Sequence, residues 1–435
     1  MPTLAFPLSR IEGHARVVID IEGGEVRSAG FQAMEFRGFK QLVQGVPAEQ
    51  MSVIVPRICG VCSTAHHIAA VKTLEDAFGV EPPPLARRLR ELLLLGQLIQ
   101  NQATSLFIFT MPDRLGTRSV LDPIQERDQD GCSQIARRAL ALRRAGTRLI
   151  TTAGGQFIHP VKAVVGGMTS GIDQDAAAAL ADELSAQLPH ACELFECYIR
   201  TSLELRERIG TWGDDAPAHY MAAVSESLPN YDGDKIRLLS TDGSVIAFQA
   251  RAHHDHLTYE QPDYSYSGRT SYRGEAIRAN SLARVNMTES MGTPLADGYL
   301  KRFRDAFGRP AHAILLFDLA RGIELVYSIE RSIQILASPL NAEDTDVPYT
   351  PKDGEGYGLV EAPRGPLIHH YVIRNGLIAD AEFVIPTVHN IKSIERALMV
   401  AARRYINGER IDMELERAVG RVVRAFDPCI ACATH

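Results

Sequence analysis

The apolar positions of the chain change period several times, and each change marks a new element. Residues 14 to 37 read as strands: the run Ala15-Arg16-Val17-Val18-Ile19-Asp20-Ile21, a Gly23-Gly24 turn, and a second run from Val26 to Phe31. Helical patterning dominates afterwards. Between Pro84 and Pro112 the length and composition are those of one long buried helix. Residues 134 to 149 and 175 to 208 are further helices, the second interrupted by Pro189. From Gly210 to Gln261 the pattern shortens to strands and turns, with Asp232-Gly233 and Asp242-Gly243 as hairpin signals. Lys392 to Tyr405 and Met413 to Phe426 return to helix, while Ala337 to Tyr357, rich in Pro, Asp and Gly, is the clearest loop.

Composition narrows the class. A chain of 435 residues, 45% hydrophobic and 23% charged, can bury a large globular core. A formal net charge of -7 gives no reason to expect nucleic acid or an anionic membrane surface as partner. Basic runs such as Arg87-Arg88-Leu89-Arg90 are interleaved with apolar residues and read as solvated helix faces or subunit contacts. The most apolar segment, Leu92 to Met111, is broken by Gln97, Gln100, Asn101 and Gln102. A membrane span needs about 20 residues largely free of such groups, so no span is expected. With no visible targeting signal and seven cysteines in no dense framework, a reduced, cytoplasmic protein is favoured.

Chemistry concentrates in two pairs, Cys59-Gly60-Val61-Cys62 and Cys429-Ile430-Ala431-Cys432. Brought together, four thiolates make a soft, electron-rich pocket for a transition metal. A four-cysteine zinc ribbon places its pairs roughly 15–20 residues apart, whereas Cys62 and Cys429 are 367 positions apart. A thioredoxin-like pair needs a βαβ context, which neither pair has. If both pairs share one site, the two ends of the chain must pack together, which argues for one domain over residues 1–435.

The flanking residues make the pattern specific. Arg10-Ile11-Glu12-Gly13-His14, Phe36-Arg37-Gly38, the Arg57-Ile58-Cys59-Gly60-Val61-Cys62 run with His66, Ala362-Pro363-Arg364-Gly365, and Asp427-Pro428-Cys429-Ile430-Ala431-Cys432-Ala433-Thr434-His435 span the chain. Together they resemble the large subunit of [NiFe]-hydrogenases, closest in compactness to the cytoplasmic multisubunit type. The resemblance implies an α+β fold, predominantly helical, with a central bundle of long helices, small peripheral β-sheets, and N- and C-terminal segments meeting at the metal site. It also implies that Cys59 and Cys429 are terminal nickel ligands, and that Cys62 and Cys432 bridge nickel to an iron carrying CO and CN. Arg364 would stand over the open face of the metals, with Pro363 and Thr387 hydrogen-bonding to the cyanides. Glu12 would relay protons beside a terminal cysteine, and His66 would orient or tune a bridging sulfur. Read alone, each has an ordinary alternative: a salt-bridging arginine, a capping glutamate, a satisfied core histidine. Cys132, Cys192 and Cys197 match no motif and read as inert buried cysteines.

Two positions depart from the family pattern. By resemblance, His435 and the Phe383 carbonyl would hold magnesium, but the place of its third ligand, a Glu, is taken by Lys40. An ammonium cannot ligate a hard cation, so Lys40 is expected to replace the ion. On the long helix, Asn101 stands where the family often has an Asp that holds the arginine; an amide offers no charge, and Asp427 is the residue able to supply part of that role.

The implied activity is heterolytic, reversible H2 oxidation, with H2 and protons as substrates. The chain has no spare cysteine cluster for an iron–sulfur relay, so an iron–sulfur small subunit is required. Further electron-transfer subunits, ending on NAD(P), F420 or a disulfide reductase, would follow. The alternative is an H2-sensing regulatory homologue of low turnover. A quinone-site subunit of respiratory complex I ranks below it because all four cysteines are present, and a zinc-stabilised interaction protein is the outsider.

Overall fold

The computed structural model describes residues 3–120, 132–204, 216–225, 227–233, 235–341, 344–406 and 410–434. Helices dominate: α1 (Ser63–Phe78), α2 (Pro84–Ala103), α3 (Cys132–Gly154), α4 (Gln174–Glu204), α5 (Ser281–Met287), α6 (Pro294–Phe307), α7 (Leu316–Leu336), α8 (Pro386–Tyr405) and α9 (Met413–Phe426). The longest pack on one another, α2 against α3 and α7, and α4 against the same two.

Helix α4 runs unbroken through Pro189, where the sequence predicts an interruption. Its buried residues Ala177, Leu180, Leu184, Ala191, Leu194, Phe195 and Tyr198 keep a helical period on both sides of the proline. Packing along that stripe outweighs the roughly 3 kcal/mol cost of an internal proline. The expected single helix from Pro84 to Pro112 is present as one continuous helix, Pro84–Leu115, that changes winding along its length: α2, a π-helical stretch Thr104–Thr110, and a short α-helix Met111–Leu115. The hydroxyls of Thr104 and Thr110 donate back to the carbonyls of Gln100 and Leu106, which loosens regular winding. By length and composition Pro84–Leu115 could cross a membrane, but 83% of its most apolar window is buried inside the protein.

Three small sheets and a ribbon complete the fold. β1 (Thr3–Pro7), β2 (Ala15–Glu22) and β3 (Glu25–Ala33) are antiparallel, turned at Gly23-Gly24 as the sequence predicts. β4 (Ala163–Val164) and β5 (Gly167–Met168) form the short ribbon. A six-stranded sheet is built from β6 (His219–Ala222), β7 (Ile236–Leu239), β8 (Val245–Phe248), β9 (Leu257–Glu260), β10 (Arg269–Tyr272) and β11 (Glu275–Arg278), in the order β8-β7-β6-β11-β10-β9. Asp242-Gly243 makes its β7–β8 turn, but Asp232-Gly233 sits in the long β6–β7 connection and closes no tight hairpin.

The last sheet positions the site. β12 (Gly354–Ala362), β13 (Gly365–Arg374) and β14 (Leu377–Val384) are antiparallel, and Pro363-Arg364 is the two-residue turn between the first two. β12 lies directly against α1, because a Cβ on Gly356 or Gly358 would come within 2.1 or 2.3 Å of the helix carbonyls of Thr73 and Ala69. Glycine is therefore what lets α1, which starts at the first cysteine pair, reach the sheet that carries Arg364.

Candidate metal centre

Each cysteine pair sits where a helix begins. Cys59 ends the 3-10 turn Val55–Ile58 and Cys62 immediately precedes α1, while Cys429 precedes the helical turn Ile430–Ala433 that contains Cys432. The chain ends meet there. Glu12 forms a parallel bridge with Cys429, and the Ile430 N–H donates to the Glu12 carbonyl at 3.2 Å. Gly13 allows this contact: its φ is +78°, and a Cβ would lie 2.7 Å from that of Ile430.

The four sulfurs converge. Cys59 Sγ lies 3.2 Å from Cys429 Sγ, Cys62 Sγ 3.7 Å from it, and Cys432 Sγ 3.0 Å from it. All four thiols are free and no more than 5% exposed. Burial pushes Cys429 and Cys432 well above the ordinary thiol range. Cys62 is held well below it, first by its hydrogen bonds with Cys429, Cys432 and Cys59, then by the Arg364 guanidinium. The four sulfurs lie too close together for all to be thiolates without compensating charge. Four together need cations in place of the lost protons, which is the donor set of a soft transition-metal centre. The residues present fit nickel bound by four sulfurs.

Arg364 is fixed over this cluster. Its Nη1 donates to Cys62 Sγ at 3.2 Å, its Nη2 lies 3.1 Å from Asp427 Oδ2, and its Nε donates to the Asp427 carbonyl. Asn101 Nδ2 donates to the same Asp427 oxygen at 3.1 Å. The missing charge at position 101 is thus supplied by Asp427, and the amide positions it. Arg284, which no motif marks, anchors the preceding residues by donating to the carbonyls of Ala362 and Pro363 at 3.1 and 2.9 Å, and to Glu361 Oε1 at 2.6 Å.

His66 brings a further chain of groups to the cluster. Its Nε2 is 3.4 Å from Cys432 Sγ and its Nδ1 is 3.0 Å from His369 Nε2; His369 Nδ1 is 2.7 Å from the Tyr371 hydroxyl. None of the three is more than 1% exposed. With Cys432 as a thiolate and both rings neutral, every hydrogen must point towards the sulfur: Tyr371 donates to His369, His369 to His66, and His66 to Cys432. The usable sequence signal is His369-x-Tyr371 on one strand, since alternate residues of β13 share a face.

The other expected residues divide. The Glu12 carboxylate accepts from the Ala431 N–H at 3.0 Å and stands beside Cys429. The Thr387 hydroxyl oxygen accepts from the Cys429 N–H at 3.0 Å. Thr387 and Pro363 line a small apolar cavity against the cysteines, with Leu367, Ile385 and Pro386. Phe383 is buried with its ring edge-on to His369. Lys40 is 47% exposed, with its ammonium 3.5 Å from Asp380 in a surface ion pair. A lysine at that depth keeps its ammonium hydrated and avoids the cost of desolvating the charge. His435 lies outside the described residues, as does the side chain of Cys132. Cys192 and Cys197 are half-buried on α4, less covered than expected, because they sit towards the solvent edge of that helix's buried stripe.

Comparison with known proteins agrees with this geometry. The family model described as nickel-dependent hydrogenase matches residues 37–120 and 218–435, and one described as HoxL-like matches residues 6–36. A vhu subunit of the F420-non-reducing hydrogenase of Methanocaldococcus jannaschii is 33% identical over 91% of this chain and 97% of its own. The NAD-reducing hydrogenase HoxS subunit beta of Cupriavidus necator is 29% identical over 99% of this chain and 93% of its own. A crystal structure of NAD+-reducing [NiFe]-hydrogenase in the H2-reduced state superposes with a TM-score of 0.91 at 28% identity, covering 100% of both chains. The chain belongs to the nickel-dependent hydrogenase family as a large subunit, and it is an oxidoreductase acting on H2.

Proposed function

We propose that this chain is the catalytic subunit of a reversible [NiFe]-hydrogenase that passes electrons to an iron–sulfur small subunit. One observation carries the reading: four free, buried cysteines from the two ends of the chain converge beneath a fixed guanidinium. When bound, a nickel–iron pair with CO and CN on the iron supplies the redox-active centre at which H2 is polarised. Cys59 and Cys429 would hold nickel alone, and Cys62 and Cys432 would bridge to iron, in the apolar cavity lined by Pro363 and Thr387.

The protein's own contribution is charge and proton placement. Arg364 keeps its proton and presents a fixed positive field beside Cys62. Glu12 stands beside Cys429, at the protein's rim rather than in its core, and is placed to receive a proton released at that sulfur. His66 donates to Cys432 and so moderates the basicity of a bridging thiolate. Asp427 supplies the anion beside Arg364 that an amide at position 101 does not, which favours turnover over a purely sensory role.

The mutual packing of α2, α3, α4 and α7 supports reading them as the central bundle, and the Glu12–Cys429 bridge supports one domain over residues 1–435. The relatives' multisubunit and NAD-reducing character supports a cytoplasmic complex with further electron-transfer subunits. Infrared spectra and metal analysis of the purified complex test the proposal. Bands of iron-bound CO and CN, with nickel present and iron in excess of it because the small subunit brings its own clusters, are expected, and a fully matured sample with neither the bands nor nickel overturns it.

A further inference from the structure

A second metal-ligating cluster lies on the opposite face of the sheet that carries His369. His253 and His254, in the helical turn His253–His256 between β8 and β9, meet Glu382 of β14. One atom from each lies within 4.8 Å of the others. His254 Nε2 is 3.1 Å and His253 Nε2 is 3.5 Å from the same oxygen, Glu382 Oε2. Ligands held at about 2.0–2.2 Å around a tetrahedral zinc stand roughly 3.3 Å apart, and the two observed separations bracket that value.

The hydrogen-bonding state of His253 points to a ligand. The ring is 3% exposed, and its Nδ1 is 2.8 Å from the Ala250 carbonyl, which can only accept. Nδ1 therefore carries a hydrogen, and with the ring neutral Nε2 carries the lone pair, the tautomer that metal-bound imidazoles adopt. That nitrogen is buried, has no hydrogen-bond partner, and faces a carboxylate oxygen. Two acceptors facing each other at this partly covered site repel, and a cation between them removes the conflict. His370 borders the cluster, with Nδ1 3.8 Å from Glu382 Oε2 and Nε2 2.8 Å from Glu355 Oε1.

We propose that His253, His254 and Glu382 form a second metal site, distinct from the thiolate pocket, for a borderline divalent cation with Zn2+ as first choice and water as the fourth ligand. Two imidazoles and one carboxylate favour zinc over the hard cations magnesium and calcium, which need more oxygens. The bound ion fastens the turn that follows β8 to the outer face of β14. It thereby braces, from outside, the sheet whose inner face holds His369 against His66.

The test uses the assembled complex with its nickel and iron in place, so that the four thiolates are already occupied. Wild type, His254→Ala and Glu382→Gln are dialysed against Zn2+ near neutral pH, and bound metal is measured by mass spectrometry. Wild type is expected to take up about one zinc per chain, and each variant to bind it at least about tenfold more weakly. Nickel, iron and H2-dependent dye reduction should be the same in all three. His254 is 67% exposed, so its removal leaves the core intact. No zinc uptake by wild type, or equal uptake by wild type and both variants, overturns the proposal; in the first case the cluster is a proton-bridged ion pair.

Discussion

Adjacent residues of β13 put histidine to opposite uses. His369 faces α1, is fully buried, and joins His66 and Tyr371 in a dry chain that ends on Cys432. His370 faces the other way, towards Glu355 and Glu382 and the histidine turn, where solvent reaches the groups. Inside, where nothing screens a misplaced hydrogen, each ring must hold one tautomer, so geometry fixes a direction for every donor. Outside, protons and cations compete for the same nitrogens, and the state of the cluster follows the solution. One strand thus separates a site defined by its connections from one defined by its occupant.

The largest break in that comparison comes from removing a thiolate. Cys429→Ala deletes the sulfur to which the other three converge. Nickel content and H2-dependent dye reduction should both fall to background, while zinc uptake at the outer cluster is retained. Residual activity in a nickel-free sample would show that the thiolate pocket is not the reacting centre.

Next in size is Arg364→Lys. The charge survives, but an ammonium cannot donate to Cys62, to the Asp427 carboxylate and to its carbonyl from one rigid plane. Removing one preorganised donor of this kind lowers turnover by about 10²–10³-fold. Nickel should be retained, so kcat falls without loss of metal. Wild-type turnover in the lysine variant would mean that positive charge alone suffices.

A second pair of neighbours, on α1, sharpens the contrast between connection and burial. His66 reaches Cys432 of the thiolate cluster, whereas His67 is plain core: its ring lies between the Ser52 carbonyl, 2.8 Å from Nδ1, and the Ala163 N–H, 3.2 Å from Nε2. Burial pushes its pKa down to about 4 from 6.5. Below pH 6.5 the unfolded chain takes a proton there that the folded chain refuses, so stability falls as the pH drops and the loss is complete near pH 4. A shift of one unit is worth about 1.4 kcal/mol, which makes the total roughly 3 kcal/mol. Melting temperatures between neutral pH and pH 4 should fall less steeply in His67→Gln than in wild type, and identical slopes would remove His67 from the account.

What is legible in the sequence follows from what each residue touches. The four cysteines, Arg364 and Glu12 lie in motifs because their chemistry demands local sequence: two sulfurs at one helix start, a glycine where the ends meet. The β2–β3 hairpin is readable from its Gly-Gly turn, and α9 from its regular apolar periodicity. Arg284 is not, because its role depends on a carbonyl 79 residues away, and Tyr371 is marked only by its two-residue spacing from His369, whose own partner His66 lies far off in the chain. The Lys40–Asp380 pair is not legible either, because the motif around Lys40 carries no sign of a partner on a distant strand. Pro189 misleads because local propensity takes no account of the packing on α3 and α7.

The smallest effect probes the inner chain most directly. Tyr371→Phe removes one hydroxyl from a buried site and leaves ring volume unchanged. His369 then loses the donor that makes its Nδ1 the acceptor, and its Nε2–H is no longer obliged to point at His66. The hydrogen bond that His66 gives Cys432 weakens in turn, so more charge stays on that sulfur and passes to the metals. Turnover is expected to drop by about tenfold or less, with full nickel content, and the infrared bands of the iron-bound ligands are expected to move to lower frequency. His370→Phe is the matched control: it alters the preceding residue of the same strand, on the outer face, and should leave those bands where they are. If both variants shift the bands equally, the strand merely transmits strain; if neither does, the orientation of His66 is set by Cys432 alone and the inner chain carries no direction.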